Sequence, residues 1–130
     1  MENKKNILIV DDDADYLFQI KMQVESFGFG VITAESKKDA EEVLSTLKPD
    51  LCIFDLMMET QDSGFILAYK TKQMYPDVPI IIATAVTSET GLVFNIETSE
   101  DKRWIKADLL LEKGIRKDQL EREINKLLKL

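Results

Sequence analysis

Apolar residues along the chain form two alternating kinds of pattern. Short runs rich in β-branched and other apolar residues predict five strands, at Asn6 to Val10, Gly30 to Ala34, Leu51 to Phe54, Pro79 to Ala83 and Asp108 to Leu111. These runs are too short for buried helices. Runs such as Ile7 to Val10 do not alternate polar with apolar side chains, which is typical of a parallel sheet covered on both faces.

Longer stretches between the strands carry apolar residues at helical spacing. Three such sets predict helices: Leu17, Ile20, Val24 and Phe27; Ala40, Val43, Leu44 and Leu47; and Leu120, Ile124, Leu127 and Leu128. A further helix is predicted from Ser63 to Tyr75, with Phe65, Ile66 and Tyr69 facing the core. Strands that alternate with helices predict a doubly wound α/β fold.

Local signals mark the ends of two of these helices. Ser36 followed by Asp39 resembles a capping box at the start of the second helix, and Pro49 ends it. Gly28 and Gly30 bracket the turn that ends the first helix. The helix boundaries therefore agree with the apolar periodicity.

Composition limits the classes of function. The chain has 130 residues, 45% of them hydrophobic, which is enough for one core, so we expect residues 1–130 to form a single domain. With 24 acidic and 17 basic residues, the net charge of -7 argues against direct nucleic-acid binding. No apolar run approaches the roughly 20 residues that span a bilayer, and no signal-peptide pattern is visible. We expect a cytoplasmic protein without membrane insertion.

Cys52 is the one cysteine, and the sequence contains no histidine. An internal disulfide is therefore excluded, and a zinc site would lack ligands. Because Cys52 lies within a predicted strand, we interpret it as a buried apolar residue.

Candidate chemistry lies just after the predicted strands. These residues are Asp11, Asp12 and Asp13 after the first strand, Asp55 after the third, Thr84 at the end of the fourth and Lys113 after the fifth. Ligands of parallel sheets bind at the carboxyl ends of the strands, so we expect these side chains to converge. Carboxylates 4 Å apart repel by about 4 kcal/mol per pair at an effective dielectric near 20, so the cluster needs a cation. Lys113 and a divalent ion such as Mg²⁺, which prefers oxygen ligands, would supply it.

The segments around these residues resemble the receiver domains of two-component response regulators. The resemblance covers nearly the whole chain and is carried by Ile-Leu-Ile-Val-Asp11-Asp12-Asp13, Asp55-Leu-Met-Met, Thr84-Ala85 and Glu-Lys113-Gly. It implies a flavodoxin-like receiver fold whose five-stranded parallel sheet has the order 2-1-3-4-5. The segment after the fourth strand is longer than is usual in the family and is expected to be modified.

The resemblance also implies a role for each residue of the group. Asp55 corresponds to the phosphoacceptor, while Asp12, Asp55 and the Met57 carbonyl correspond to Mg²⁺ ligands and Asp11 to a ligand through a metal-bound water. Thr84 and Lys113 would contact the phosphoryl oxygens. The domain would promote only its own phosphorylation and dephosphorylation, and it would not be an enzyme towards other substrates.

The partners implied by the resemblance are proteins. The phosphoryl donor would be a phosphohistidine on a sensor histidine kinase or a histidine phosphotransfer protein. Phosphorylation would change the affinity for an unknown downstream protein. We expect a stand-alone receiver without an output domain in this chain; the alternative is a receiver-fold module that binds proteins independently of phosphorylation.

Other interpretations of the acidic run fit less well. A calcium loop needs glycine where Tyr16 stands and glutamate where Met22 stands. A flavin site would have to accept a phosphate beside four aspartates. A haloacid-dehalogenase-type phosphatase shares only the Asp-x-Asp spacing, and the chain is short for that class.

Several positions depart from the family pattern. Glu59 stands where a proline is usual, and the loop after Asp55 is one residue longer. Leu110 replaces an aromatic residue that moves on phosphorylation in the family. Gly114 occupies the position of a cis proline, and because a cis bond without proline costs about 2.5–4 kcal/mol, we expect a trans bond between Lys113 and Gly114.

The stretch from Val86 to Arg103 is too long for an ordinary connection. One hypothesis is that it covers the signalling face or forms the partner surface. The other is that Leu92, Phe94 and Trp104 complete the core beneath a loop.

Overall fold

The computed structural model describes residues 4–58, 63–84 and 107–130. Within these ranges the elements are β1 (Asn6–Val10), α1 (Ala14–Ser26), β2 (Gly30–Ala34), α2 (Lys37–Thr46), β3 (Leu51–Asp55), α3 (Ser63–Met74), β4 (Ile80–Thr84), β5 (Leu109–Glu112) and α4 (Lys117–Leu128). Every predicted strand is present, and its ends differ from the prediction by at most one residue.

The five strands form one parallel sheet in the order β2-β1-β3-β4-β5. The register pairs Val10 of β1 with Phe54 of β3, and Thr84 of β4 with Glu112 of β5. The order 2-1-3-4-5 and the doubly wound α/β class are thus confirmed. Because all strands are parallel, their carboxyl ends lie along the same edge of the sheet.

Each face of the sheet carries its own core. Leu8 and Val10 pack with residues of α2 and α3, whereas Ile7 and Ile9 pack with residues of α1 and α4. Both faces of β1 are therefore buried, which explains why its sequence is apolar without alternation. Cys52 is fully buried, and burial raises the pKa of its thiol, as expected of an apolar core residue.

The signals at the helix ends are confirmed in the backbone. The Ser36 hydroxyl accepts a hydrogen bond of 3.0 Å from the Asp39 N–H at the start of α2. After α1, Gly28 adopts a φ of 100°, a value that glycine reaches without the steric cost borne by other residues. The peptide bond between Lys113 and Gly114 is trans, as predicted.

The predicted inward face of α3 is wrong at Tyr69. Its side chain is 46% exposed, and Ile66 is only half-buried, although Phe65 is buried. The residues that face the sheet are instead Gly64, Leu67, Ala68 and Thr71, which follow the i, i+3, i+4, i+7 spacing. Their mostly small side chains let α3 lie close to β3, and the bulkier Tyr69 is turned outward.

Some predictions fall on residues outside the described ranges. They concern Glu59 and the lengthened loop, and the stretch from Val86 to Arg103 with Leu92, Phe94 and Trp104. In the described part of the chain, no helix has the length and apolar character needed to cross a membrane.

Gly64 allows the close approach of α3 to β3. A Cβ atom on Gly64 would lie 2.5 Å from the Asp55 carbonyl oxygen and 2.8 Å from the Leu56 Cα, and these backbone atoms cannot rotate away. We therefore expect Gly64→Ala to lower the free energy of unfolding by about 1–3 kcal/mol, measured by urea denaturation. Gly114→Ala is the control, because a Cβ there meets no atom within 4 Å. Equal stability of the two variants would contradict this account.

Candidate functional site

The backbone of three strands places the candidate residues at the carboxyl edge of the sheet. Asp11 follows β1 directly, and its N–H donates to the Ala34 carbonyl at 3.1 Å. Asp55 is the last residue of β3 and pairs with Ala83. Lys113 follows β5, and its N–H donates to the Thr84 carbonyl at 2.9 Å. The sheet ladder thus fixes the starting point of each side chain.

Three of the predicted aspartates form a cluster. One carboxylate oxygen from each of Asp11, Asp12 and Asp55 lies within 4.8 Å of the others. Asp11 is 2% exposed and Asp55 is 5% exposed, while Asp12 is open to solvent. The cluster therefore reaches from the buried end of the sheet to the surface.

Asp13 was expected at the same edge as these residues, and the structure places it there as the N-cap of α1. Its side chain accepts hydrogen bonds from the N–H groups of Asp15 and Tyr16, at 3.0 and 3.2 Å, and caps α1. Aspartate is a favoured residue at this helical position, because its oxygen satisfies N–H groups that lack a partner within the helix. Asp13 therefore lies at the predicted edge, but its carboxylate serves as a helix cap and is not one of the three in the cluster.

The Lys113 ammonium bridges the two buried carboxylates. Its Nζ lies 2.8 Å from Asp11 Oδ2 and 3.1 Å from Asp55 Oδ1. Burial works against the charge on Lys113, but its hydrogen bonds to the two carboxylates outweigh this and raise its pKa. The lysine therefore remains charged between its partners.

The charge of the cluster is not balanced by its own residues. Three carboxylates and one ammonium leave a net charge of -2 when all are ionised. Burial, followed by the repulsion from Asp11, raises the pKa of Asp55 to about 6, although Lys113 acts in the opposite direction. The donor set is made of carboxylate oxygens, which suits a hard divalent cation such as Mg²⁺.

Two further predicted site residues are Thr84, which lies at the same edge of the sheet, and Met57, which follows Asp55 along the chain. Thr84 ends β4, the strand next to β3, and is partly buried. Met57 lies two residues after Asp55, and its side chain is 44% exposed. The sheet thus brings Thr84 to the same edge as Asp55 and Lys113, and Met57 follows in the segment that leaves β3.

One neighbour of the site was missed at the sequence level. The Tyr16 ring centroid lies 4.7 Å from Lys113 Nζ, and burial raises the pKa of the Tyr16 hydroxyl to about 12. The sequence offered one signal, since Tyr16 falls in the first turn of a helix that starts at the carboxyl edge. That signal predicts that Tyr16 lies at the carboxyl edge of the sheet. It does not predict the contact with Lys113, which is 97 positions later in the chain.

The comparisons with known proteins agree with this geometry. The family model of the response regulator receiver domain matches residues 7–125. The phosphate regulon regulatory protein PhoB of Pseudomonas aeruginosa is 35% identical over 99 residues, which are 75% of this chain and 43% of that protein. The alkaline phosphatase synthesis regulatory protein PhoP of Bacillus subtilis is 32% identical over 97 residues, or 75% of this chain and 40% of that protein. The chain thus spans less than half the length of these relatives.

Solved structures show the same fold. The CheY-like receiver domain protein of Methanospirillum hungatei has a TM-score of 0.81 at 22% identity, with 98% of this chain and 95% of that chain covered. The response regulator TrrA of Thermotoga maritima, solved in complex with Mg²⁺ and BeF, has a TM-score of 0.78 at 24% identity, with 95% and 98% covered. Together with the family model, the sheet order and the acidic cluster beside Lys113, these matches show that the chain belongs to the receiver domains of two-component response regulators.

Proposed function

We propose that this chain is a phosphorylatable receiver that accepts a phosphoryl group on Asp55 in the presence of Mg²⁺. The observation that carries the proposal is the buried Asp55 carboxylate, with an ammonium 3.1 Å away and two further carboxylates in the same cluster. The complex of TrrA with Mg²⁺ and BeF supports it, since that structural relative binds both at a receiver fold.

The proposed reaction makes few chemical demands on the protein. An Asp55 carboxylate oxygen forms a bond to phosphorus while the phosphorus–nitrogen bond of a phosphohistidine donor breaks. The products are an acyl phosphate on Asp55 and a free imidazole on the donor. A carboxylate nucleophile needs no general base, and the loose transition state is stabilised mainly by positioning and by neutralisation of oxygen charge.

Lys113 and Thr84 have electrostatic roles in this proposal. The Lys113 ammonium already contacts Asp55, so it stands beside the carboxylate that attacks phosphorus. We assign Lys113 and the Thr84 hydroxyl to the phosphoryl oxygens, on which negative charge accumulates. Donors that already stand at the site need only a small rearrangement during the reaction.

The acidic cluster is the proposed metal site. Asp12, Asp55 and the Met57 carbonyl would hold Mg²⁺, with Asp11 acting through a water molecule. A bound Mg²⁺ supplies positive charge that offsets the -2 of the cluster and that of the phosphoryl oxygens. Lys113, itself paired with Asp11, would meanwhile hold Asp55 in place through the contacts that the structure already contains.

The proposed partners follow from the family. Receiver domains interact with histidine kinases and downstream effectors, and we propose a sensor histidine kinase or a histidine phosphotransfer protein as the donor. We further propose that residues 1–130 act in the cytoplasm as one receiver domain. Phosphorylation replaces the single negative charge of the Asp55 carboxylate with the roughly -1.5 to -2 charges of a phosphoryl group, and this change would alter the affinity for a downstream protein.

Binding of beryllofluoride, a phosphoryl mimic, tests the proposed site. With Mg²⁺ present, we expect saturable NMR shifts around Asp55 and Lys113, because the mimic bonds to the Asp55 carboxylate. Asp55→Asn should abolish these shifts. Asp77→Asn is the matched control, because Asp77 precedes β4 at the opposite edge of the sheet and should leave binding unchanged. If the wild-type protein does not bind the mimic, phosphorylation-independent protein binding becomes the better account.

The pKa of Asp55 gives a second prediction, for metal-free protein in EDTA. Because the folded protein raises the pKa of Asp55 to about 6, ionisation of Asp55 costs stability as pH rises from about 4 to 6. We therefore expect Asp55→Asn to raise the free energy of unfolding at pH 8 by about 1–3 kcal/mol. The gain should shrink to about 0.6 kcal/mol near pH 4, where the carboxyl is protonated in the folded state and about half ionised in the unfolded state.

Urea denaturation at the two pH values measures this difference. Asp77→Asn again serves as the control, because hydrogen bonding to Lys48 lowers the pKa of Asp77 and its ionised form is favoured in the folded protein. An Asp55→Asn gain that is equal at pH 4 and pH 8 would contradict the electrostatic explanation.

A further inference from the structure

Lys113 has a third partner besides the two carboxylates. Its Nζ lies 4.7 Å from the centroid of the Tyr16 ring, within the range of a cation–π interaction. The same nitrogen lies 2.8 Å from Asp11 and 3.1 Å from Asp55. The ammonium is thus in contact with both acidic groups and with an aromatic face.

The position of the Tyr16 ring is tied to the acidic cluster through the backbone. The Asp13 N–H donates to Asp11 Oδ1 at 2.9 Å, and the Tyr16 N–H donates to Asp13 Oδ1 at 3.2 Å. These two bonds connect the first turn of α1 to Asp11. Tyr16 also packs, partly buried, against the core between the sheet, α1 and α4. The ring is therefore held by groups other than Lys113.

The fixed Tyr16 ring limits the positions that the flexible Lys113 side chain adopts. The four-carbon stem of lysine leaves its ammonium free to adopt many positions, and it pairs with carboxylates as a point charge without directional preference. A donor aids phosphoryl transfer most when it already occupies its place before charge develops. When Asp55 reacts, Lys113 must exchange one carboxylate contact for phosphoryl oxygens, and the contact with Tyr16 can persist through that exchange.

We propose that Tyr16 is a positioning residue whose ring holds the Lys113 ammonium beside Asp55 for phosphoryl transfer. This role rests on the proposed function and adds a residue to it. Tyr16 acts through Lys113 and has no contact of its own with the phosphoryl group. The competing explanation is that Tyr16 only fills space in the core.

Conservative variants separate the two explanations. Tyr16→Phe keeps the ring and removes the hydroxyl, whereas Tyr16→Leu and Tyr16→Met keep apolar volume and remove the ring. Phe18→Leu is the matched control, because Phe18 lies on the same helix, is 61% exposed and loses a ring of the same kind. Thermal unfolding of each variant identifies any that fails to fold.

The rate of phosphorylation by phosphoramidate in saturating Mg²⁺ is the functional readout, since this small donor requires no partner protein. We expect both ringless variants to react about fivefold more slowly than the wild type, from the size of a partly desolvated cation–π contact. Tyr16→Phe should stay within about twofold, because its ring still faces the ammonium. Phe18→Leu should match the wild type.

NMR supplies a readout that core packing alone would not change. The Hε protons of Lys113 lie near the ring, so the ring current should shift them upfield in the wild type and in Tyr16→Phe. This shift should be absent from the ringless variants. Folded ringless variants with wild-type rates would overturn the positioning role, as would a Tyr16→Phe variant as slow as Tyr16→Leu, since the hydroxyl would then be responsible.

The phosphoramidate experiment distinguishes failure of the proposed phosphorylation at Asp55 from failure of the role assigned to Tyr16. If phosphoramidate modifies neither the wild type nor Asp55→Asn, phosphorylation at Asp55 is refuted and the role of Tyr16 in it is refuted as well. If the wild type is modified at Asp55 and the ringless variants react equally fast, the positioning role of Tyr16 is refuted and phosphorylation at Asp55 is not.

Discussion

The unbalanced negative charge at the carboxyl edge of the sheet is the constraint on which the site depends. Asp11 and Asp55 are almost fully buried there, Asp12 lies beside them, and Lys113 is the ammonium that bridges the buried pair. Buried charges are costly unless they are paired and hydrogen-bonded. This cost makes the cluster selective for positive charge and keeps Lys113 ionised between its partners.

The sheet provides the rigidity that such a cluster requires. Asp11, Asp55 and Lys113 each follow or end a parallel strand, and hydrogen bonds to Ala34 and Thr84 extend the ladder to two of them. Like-charged groups would move apart on a flexible loop. On the ends of strands that are buried on both faces, they are kept close enough to share a cation.

The same arrangement connects stability with function. Burial raises the pKa of Asp55 to about 6, so near neutral pH its carboxylate is held in an unfavourable environment. A site that is unfavourable when empty gains the most from a ligand that supplies positive charge. The stability that the fold gives up at Asp55 is therefore available to favour a positively charged ligand, in agreement with the trade-off known for active sites.

The sequence by itself determined the strands, the helices at apolar spacing and the group of residues that follows the strands, because these depend on local periodicity. The sheet order came from the family resemblance, and the structure confirmed it. Only the tertiary structure decided that Asp12 joins the cluster while Asp13 caps α1, that Tyr69 faces outward, and that the Tyr16 ring meets Lys113. These outcomes depend on how closely α3 approaches β3 and on which rotamers bring distant side chains together. Such contacts are fixed by packing between elements, and a pattern along a single segment does not contain them.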